Sequence, residues 1–454
     1  MSDAVAAALR QALQSQPPLS LDAARAACAA EPPWTQTAGC VTVAHVRRYF
    51  ALTRARSEVD RRDAAELDDA SFLLDYVLPN RPVLVRGLTA GWPACAAWVR
   101  PDGAPDVAAL AAAYGASVAP VADCAAAEDA PRPELSLNAY AEYWAKHHAG
   151  ADARVLYLKD WHLAAETPAG EFYTPPPLFR HDALNAYFDV RRQRSGGASS
   201  SCCADYRFVY VGPAGSRTPL HCDVLHSASW SANVCGVKRW LLFAPAATQL
   251  LRSARGALPA DVEAAMAARD PAFPRLREAV PLVVEQRAGE TLFVPPGWHH
   301  QVLNVTAAAS INHNWVHPAA MHWVLGFVRA DAAAAADAIS DLRPPALPAD
   351  EFEALVQRNA AANGGMDYAM LAAMAWRGVQ EPLATLRAAT CEDTREALAA
   401  ALACQRCGRV LRALAAEPSH CFTPHAEDGD LPVQPAAWAD EVAAALSAAG
   451  LPPC

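Results

Sequence analysis

Gly289-Glu-Thr-Leu-Phe-Val-Pro-Pro-Gly-Trp-His-His300 reads as a strand, a tight turn and the start of a second strand. Its β-branched and aromatic residues suit a pleated, half-buried surface, and Pro295-Pro-Gly297 interrupts them. The same grammar recurs on either side. Tyr206-Arg-Phe-Val-Tyr-Val211 runs into the turn Gly212-Pro-Ala-Gly215, Lys238-Arg-Trp-Leu-Leu-Phe243 runs into Ala244-Pro245, and Ser310-Ile-Asn-His-Asn-Trp-Val316 alternates again. Short strands at turn-punctuated intervals predict a mainly β core, a small barrel or sandwich.

Within this frame stands His221-Cys222-Asp223. Side chains two apart on an extended strand share a face, so His221 and Asp223 can reach one metal while Cys222 turns away. With 14 His among 454 residues, roughly one or two His-x-acid matches arise by chance, and the context must separate them. The second match, His425-Ala-Glu427, lies in a turn-rich stretch without strand pattern and reads as surface. A third ligand from the tandem His299-His300 gives two imidazoles and one carboxylate, the facial set of non-haem iron(II) oxygenases. Adjacent strand residues face opposite ways, so only one of the two histidines enters the barrel, and spacing does not say which.

The array Thr218-Pro-Leu-His-Cys-Asp223, Trp230, Gly236-Val-Lys-Arg-Trp240, Gly289 to His300 and Asn304 resembles the jumonji-C (JmjC) oxygenases. Asp205-Tyr-Arg-Phe-Val-Tyr-Val-Gly-Pro-Ala-Gly215, Ser229-Trp-Ser-Ala-Asn-Val-Cys-Gly236 and Ser310 to Val316 are similar to the jumonji domain-containing protein four subgroup, whose known member hydroxylates a lysine of a translation release factor. Arg81-Pro-Val-Leu-Val-Arg-Gly-Leu-Thr-Ala-Gly-Trp-Pro93 resembles the family's entry strand, so the likeness covers about residues 70 to 317.

The resemblance implies a double-stranded β-helix, a jelly-roll or cupin-like barrel. It makes His221, Asp223 and His300 the ligands of Fe(II), with 2-oxoglutarate and dioxygen as cosubstrates. Lys238, Thr218 and Tyr157 take the positions that hold 2-oxoglutarate; a buried dianion needs a fixed cation and hydrogen-bond donors. Asn312 and Asn314 share a strand face and line the pocket, and Ser231 or Asn233 supplies one further polar contact. Taken singly, Lys238 reads as a snorkelling surface lysine, Tyr157 as a strand aromatic and the two asparagines as partners of backbone groups. The expected activity is protein hydroxylation, with a translation release factor as partner. N-methyl-lysine demethylation and a catalytically silent cupin-like binding protein are the alternatives.

Composition sets the surroundings. A chain of 454 residues with 53% hydrophobic content buries a substantial core in two or three units. We divide it into a helical N-terminal region (1–70), the oxygenase domain (71–317) and a helical C-terminal region (318–454) in which apolar residues recur at helical spacing. That last region is also a possible homodimer contact. Helical inserts are expected at Asp106–Tyr114, Tyr140–His148 and Asp261–Arg269, and Arg191–Cys203 is flexible by composition, a passive insertion or a lid. Net charge of −10 argues against nucleic acid held by a bulk positive field. Thirteen scattered cysteines suit reduced thiols in the cytoplasm or nucleus. Neither a signal peptide nor an apolar run of membrane-spanning length is expected. Cys404, Cys407, His420 and His425 match zinc-finger spacing, but Leu398–Ala416 reads as one helix carrying both cysteines, which a finger does not allow.

Overall fold

The computed structural model of the chain describes residues 58–126, 130–194, 205–388, 394–422, 433–451 and 453–454. Thirteen strands form two sheets within it. They are β1 (Asp60–Asp63), β2 (Val83–Arg86), β3 (Val118–Asp123), β4 (Glu134–Ser136), β5 (Leu156–Trp161), β6 (Arg207–Gly212), β7 (Arg217–His221), β8 (Ala228–Cys235), β9 (Lys238–Phe243), β10 (Leu282–Gln286), β11 (Glu290–Val294), β12 (His299–Asn304) and β13 (Ala308–Trp315). The large sheet has the order β1-β2-β11-β8-β13-β6-β5-β3-β4, and the small one β10-β9-β12-β7.

From β6 to β13 the chain passes between the sheets, leaving β6, β8, β11 and β13 in one and β7, β9, β10 and β12 in the other. That is the double-stranded β-helix, with two four-stranded walls around a common interior. Gln286 ties the walls together where they meet. Its amide accepts from Trp240 Nε1 at 2.8 Å and donates to the carbonyls of Ser231 and Glu290 at 2.7 and 2.9 Å, so a wholly buried polar group is satisfied. An aromatic cluster packs the outer face of the large sheet, with Phe179 stacked on Trp230 at 5.2 Å and meeting Trp315 edge-on at 5.4 Å.

Helices surround the barrel: α1 (Val107–Tyr114), α2 (Leu137–His148), α3 (Ala183–Arg194), α4 (Val262–Ala268), α5 (Met321–Ala338), α6 (Ala349–Gly364), α7 (Tyr368–Ala388), α8 (Thr394–Ala415) and α9 (Pro435–Ala448). The three helical inserts appear as α1, α2 and α4, with Asp106 and Asp261 as the N-caps of α1 and α4. Of the region read as helical before residue 70, positions 1–57 lie outside the described residues; Asp60–Asp63 is a strand and Asp69–Phe72 a short helix. The strand escaped the sequence reading because it has no apolar alternation. It pairs parallel to β2 and is held by ion pairs, Arg61 to Glu290 and Asp60 to Arg81, both at 3.1 Å. The segment 195–203, part of the stretch read as an insertion or lid, also lies outside the described residues, as does His425. Both Cys404 and Cys407 are buried inside α8. No described helix is long and apolar enough to cross a membrane.

Candidate active site

The site begins with register. In the small sheet His300 on β12 lies opposite His221 on β7, and the two rings stand 4.2 Å apart. Asp223 follows two residues after His221, where β7 ends. The nitrogen and oxygen donors of His221, Asp223 and His300 all lie within 4.8 Å of one another. His299 faces the other way, as period two requires, with Nδ1 3.5 Å from Thr248 Oγ1.

Each donor is oriented by its neighbours. Nδ1 of His221 lies 2.9 Å from the Pro219 carbonyl, and Nδ1 of His300 3.2 Å from that of Trp298. A carbonyl only accepts, so both Nδ1 atoms carry the proton and both Nε2 atoms present a lone pair. Burial, reinforced at His221 by the neighbouring His300, pushes each imidazole down to about 4, which keeps both neutral at physiological pH. Burial raises Asp223 instead, against the nearby His221 and hydrogen bonds from Ser229 and Asn314. Ser229 Oγ donates to Asp223 Oδ2 at 2.7 Å, so one carboxylate oxygen is held on the protein side. The set fits a divalent metal of the iron group, with three neutral or anionic donors on one side and a cleft on the other.

That cleft is lined by eight of the residues singled out in the sequence, Tyr157, Thr218, His221, Asp223, Lys238, His300, Asn312 and Asn314, but by neither Ser231 nor Asn233. Lys238 is only 2% exposed and donates to Ser310 Oγ at 2.6 Å, with no carboxylate paired to it among the described residues. Burial pushes its amine down to about 7. A buried cation with one hydroxyl partner is the receptor half of an anion site, which suits the distal carboxylate of a keto acid. Tyr157 is buried, and Gly212 makes room for its ring: a Cβ there would lie 2.5 Å from it. Asn312 accepts from Ser231 Oγ at 3.0 Å, whereas Asn233 donates to the Gly236 carbonyl and serves the turn. Between those two, Ser231 is therefore the one connected to the cleft. Asn314 Nδ2 donates to Ser227 Oγ at 2.9 Å and lines the cleft beside Asp223.

Tyr210, Ser229, Trp240 and Ser310 were missed by the sequence reading. Ser310 shares a face with Asn312 and Asn314 on β13, and Ser229 with Ser231 on β8, so the same period-two rule reaches both. Tyr210 and Trp240 look like ordinary strand aromatics, and only the fold brings them to the cleft. Beyond Asp223 opens a larger cavity of about 750 Å³, lined in part by Phe208, Val224, His226, His299, Phe327 and Asp331. Asp223 faces both spaces.

The model of the Cupin-like domain family matches residues 69–321. The chain is 39% identical to the arginine-specific demethylase JMJ20 of Arabidopsis thaliana over 317 residues, 68% of each protein. It is 40% identical to the 2-oxoglutarate and iron-dependent oxygenase JMJD4 of Homo sapiens, over 60% of this chain and 65% of that protein, and 39% identical to JMJD4 of Gallus gallus, over 61% and 64%. The chain thus spans a little under two thirds of the length of these two oxygenases.

Proposed function

The chain belongs to the cupin-like family, in its JmjC branch of 2-oxoglutarate and iron-dependent oxygenases, and on that premise we propose that it hydroxylates a lysine side chain of a protein, with a translation release factor as the target. The observation that carries the chemistry is the His221, Asp223, His300 cluster with both Nδ1 protons committed to carbonyls. The lysine target follows from the motifs shared with the release-factor hydroxylase subgroup. Cytosolic or nuclear residence belongs to the same proposal, and the unpaired cysteines among the described residues accord with it.

His221 Nε2, His300 Nε2 and an Asp223 oxygen would hold the iron. Bound there with 2-oxoglutarate and dioxygen, it supplies oxidising power by coupling loss of carbon dioxide from the keto acid to oxygen insertion into a C–H bond. Lys238 and Thr218 would take the distal carboxylate, and Tyr157 would close that end with its ring. The larger cavity beyond Asp223 would admit the target side chain.

Incubation with release factor, ferrous iron, ascorbate and 2-oxoglutarate is expected to add one oxygen to a lysine, seen by peptide mass spectrometry and lost in His221→Ala and Asp223→Ala. No such oxygen on release factor or other candidate proteins defeats the lysine reading. Demethylation is the second reading, favoured by the name of the JMJ20 relative. It yields formaldehyde and a target lighter by one methylene, whereas hydroxylation leaves every carbon in place.

A further inference from the structure

The family match ends at residue 321, yet the wall of the metal site does not. Asp223 is followed by Val224-Leu225-His226, a short turn in which Leu225 and His226 both adopt positive φ, 56° and 51°. Two consecutive residues with side chains enter this region only when their surroundings hold them there. The surroundings are α5 and the end of α6. His226 Nε2 lies 2.7 Å from Asp331 Oδ2, and the His226 ring stacks on Phe327 with centroids 5.1 Å apart and planes 14° from parallel.

Three glycines make this packing possible. A Cβ on Gly364 would lie 2.1 Å from Asp331 Oδ2, and one on Gly365 would lie 2.8 Å from Leu225 Cδ2. On the other arm of the site, a Cβ on Gly297 would lie 2.3 Å from Phe327 Cζ. Phe327 therefore packs closely against the turn leading to His300 as well as the turn leaving Asp223. The turn also reaches the cleft through a hydrogen bond. Ser227 follows His226 and accepts from Asn314 Nδ2 at 2.9 Å, and Asn314 lines the cleft beside Asp223.

We propose that Asp331 and Phe327, on the first helix of the C-terminal region, are positioning residues of the metal site: they lock the 224–226 turn and thereby the placement of Asp223 relative to His300. The C-terminal region is in this sense part of the active site. The proposal rests on the reading of His221, Asp223 and His300 as metal ligands.

The test titrates Mn(II), which fits the same donors without redox chemistry, into the metal-free 454-residue chain, and follows thermal unfolding and hydrogen exchange in the same metal-free samples. Asp331→Ala is expected to weaken Mn(II) binding by about tenfold or more, with the melting temperature moved by no more than about 2 °C and faster exchange at Leu225–Ser227. Gly364→Ala, which displaces the carboxylate without altering a ligand, is expected to do the same, and the double variant to be no worse than either alone. Asp331→Asn keeps an acceptor for His226 and is expected to restore most of the affinity. Wild-type affinity in Asp331→Ala overturns the proposal, as does a loss that the Asn variant fails to relieve. If Asp331→Ala does not fold, the Asn and Gly364→Ala variants decide by the same criteria. Failure of the wild-type protein to bind Mn(II) overturns the ligand reading instead, so the two failures are distinguishable.

Discussion

Lys238 shows how one residue joins stability to function. Burial lowers its amine to about 7 from 10.5, so between these values the folded protein holds fewer protons here than the unfolded chain. The group therefore costs stability that returns only as pH rises toward 10.5 and is lost as pH falls through the window. Lys238→Met is expected to melt higher than the wild type at pH 7.5 in the absence of ligands, while calorimetry finds 2-oxoglutarate binding weakened at least ~100-fold. The same shift gives the wild type a pH signature. Above pH 7 the amine must take up a proton before it can pair with a dianion, so the dissociation constant should rise by up to about tenfold per pH unit. A flat affinity between pH 7 and 9 contradicts this. At this scale the candidate site was largely legible: the spacing of His221 and Asp223 pointed to an imidazole and a carboxylate sharing one space, and Lys238, named from the family motif, lines the same cleft. The choice of His300 over His299 was not in the spacing, because period two forbids both and favours neither; pairing with His221 settles the geometry.

The junction from β13 into α5 carries three buried histidines, and it sets how the protein meets acid. Burial holds His313 and His317 well below 6.5 and pushes His322 down to about 3. His313 stacks on Trp230 at 4.0 Å and shares a 2.7 Å hydrogen bond with Tyr173. Each folded-state value lies below the unfolded one, so the stabilisation is complete above about pH 6.5 and is lost as pH falls, by up to roughly 1.4 kcal/mol per unit for each residue. Thermal melts at pH 7.5, 6.5 and 5.5 should show a falling midpoint, and His313→Gln should flatten part of that slope. The α4 cap is a second weak point. Asp261 accepts from the amides of Glu263 and Ala264 and pairs with Arg217 at 2.8 Å, so Asp261→Ala is expected to cost about 1–2 kcal/mol in a denaturant titration. Elements with periodicity or clear turn boundaries were readable from sequence, as α4, β6, β9, β11 and β13 were. β1 was not, because its partners lie more than 20 residues away and its stability comes from charge pairs.

As a molecule, the protein is a barrel whose outer surfaces were built to be covered. α7 packs on α3 and α8, and α5 is buried over most of its length, including Trp323, Val324, Leu325 and Val328. Their apolar faces meet the barrel's helices, so a chain ending at residue 317 exposes a large apolar patch; it is expected to be insoluble or to melt without cooperativity by circular dichroism. Helical spacing announced these helices, but no local pattern announced that Phe327 and Asp331 reach the turn after Asp223, since that contact joins segments about 100 residues apart. His300 faces the small cleft and His299 the 750 Å³ cavity, and Asp223 stands at the edge the two spaces share. Under the proposed function this gives the enzyme two doors. A 2-oxoglutarate mimic should then compete with 2-oxoglutarate and still be noncompetitive toward the protein target, and each partner's dissociation rate should be insensitive to crowding at the other's entrance.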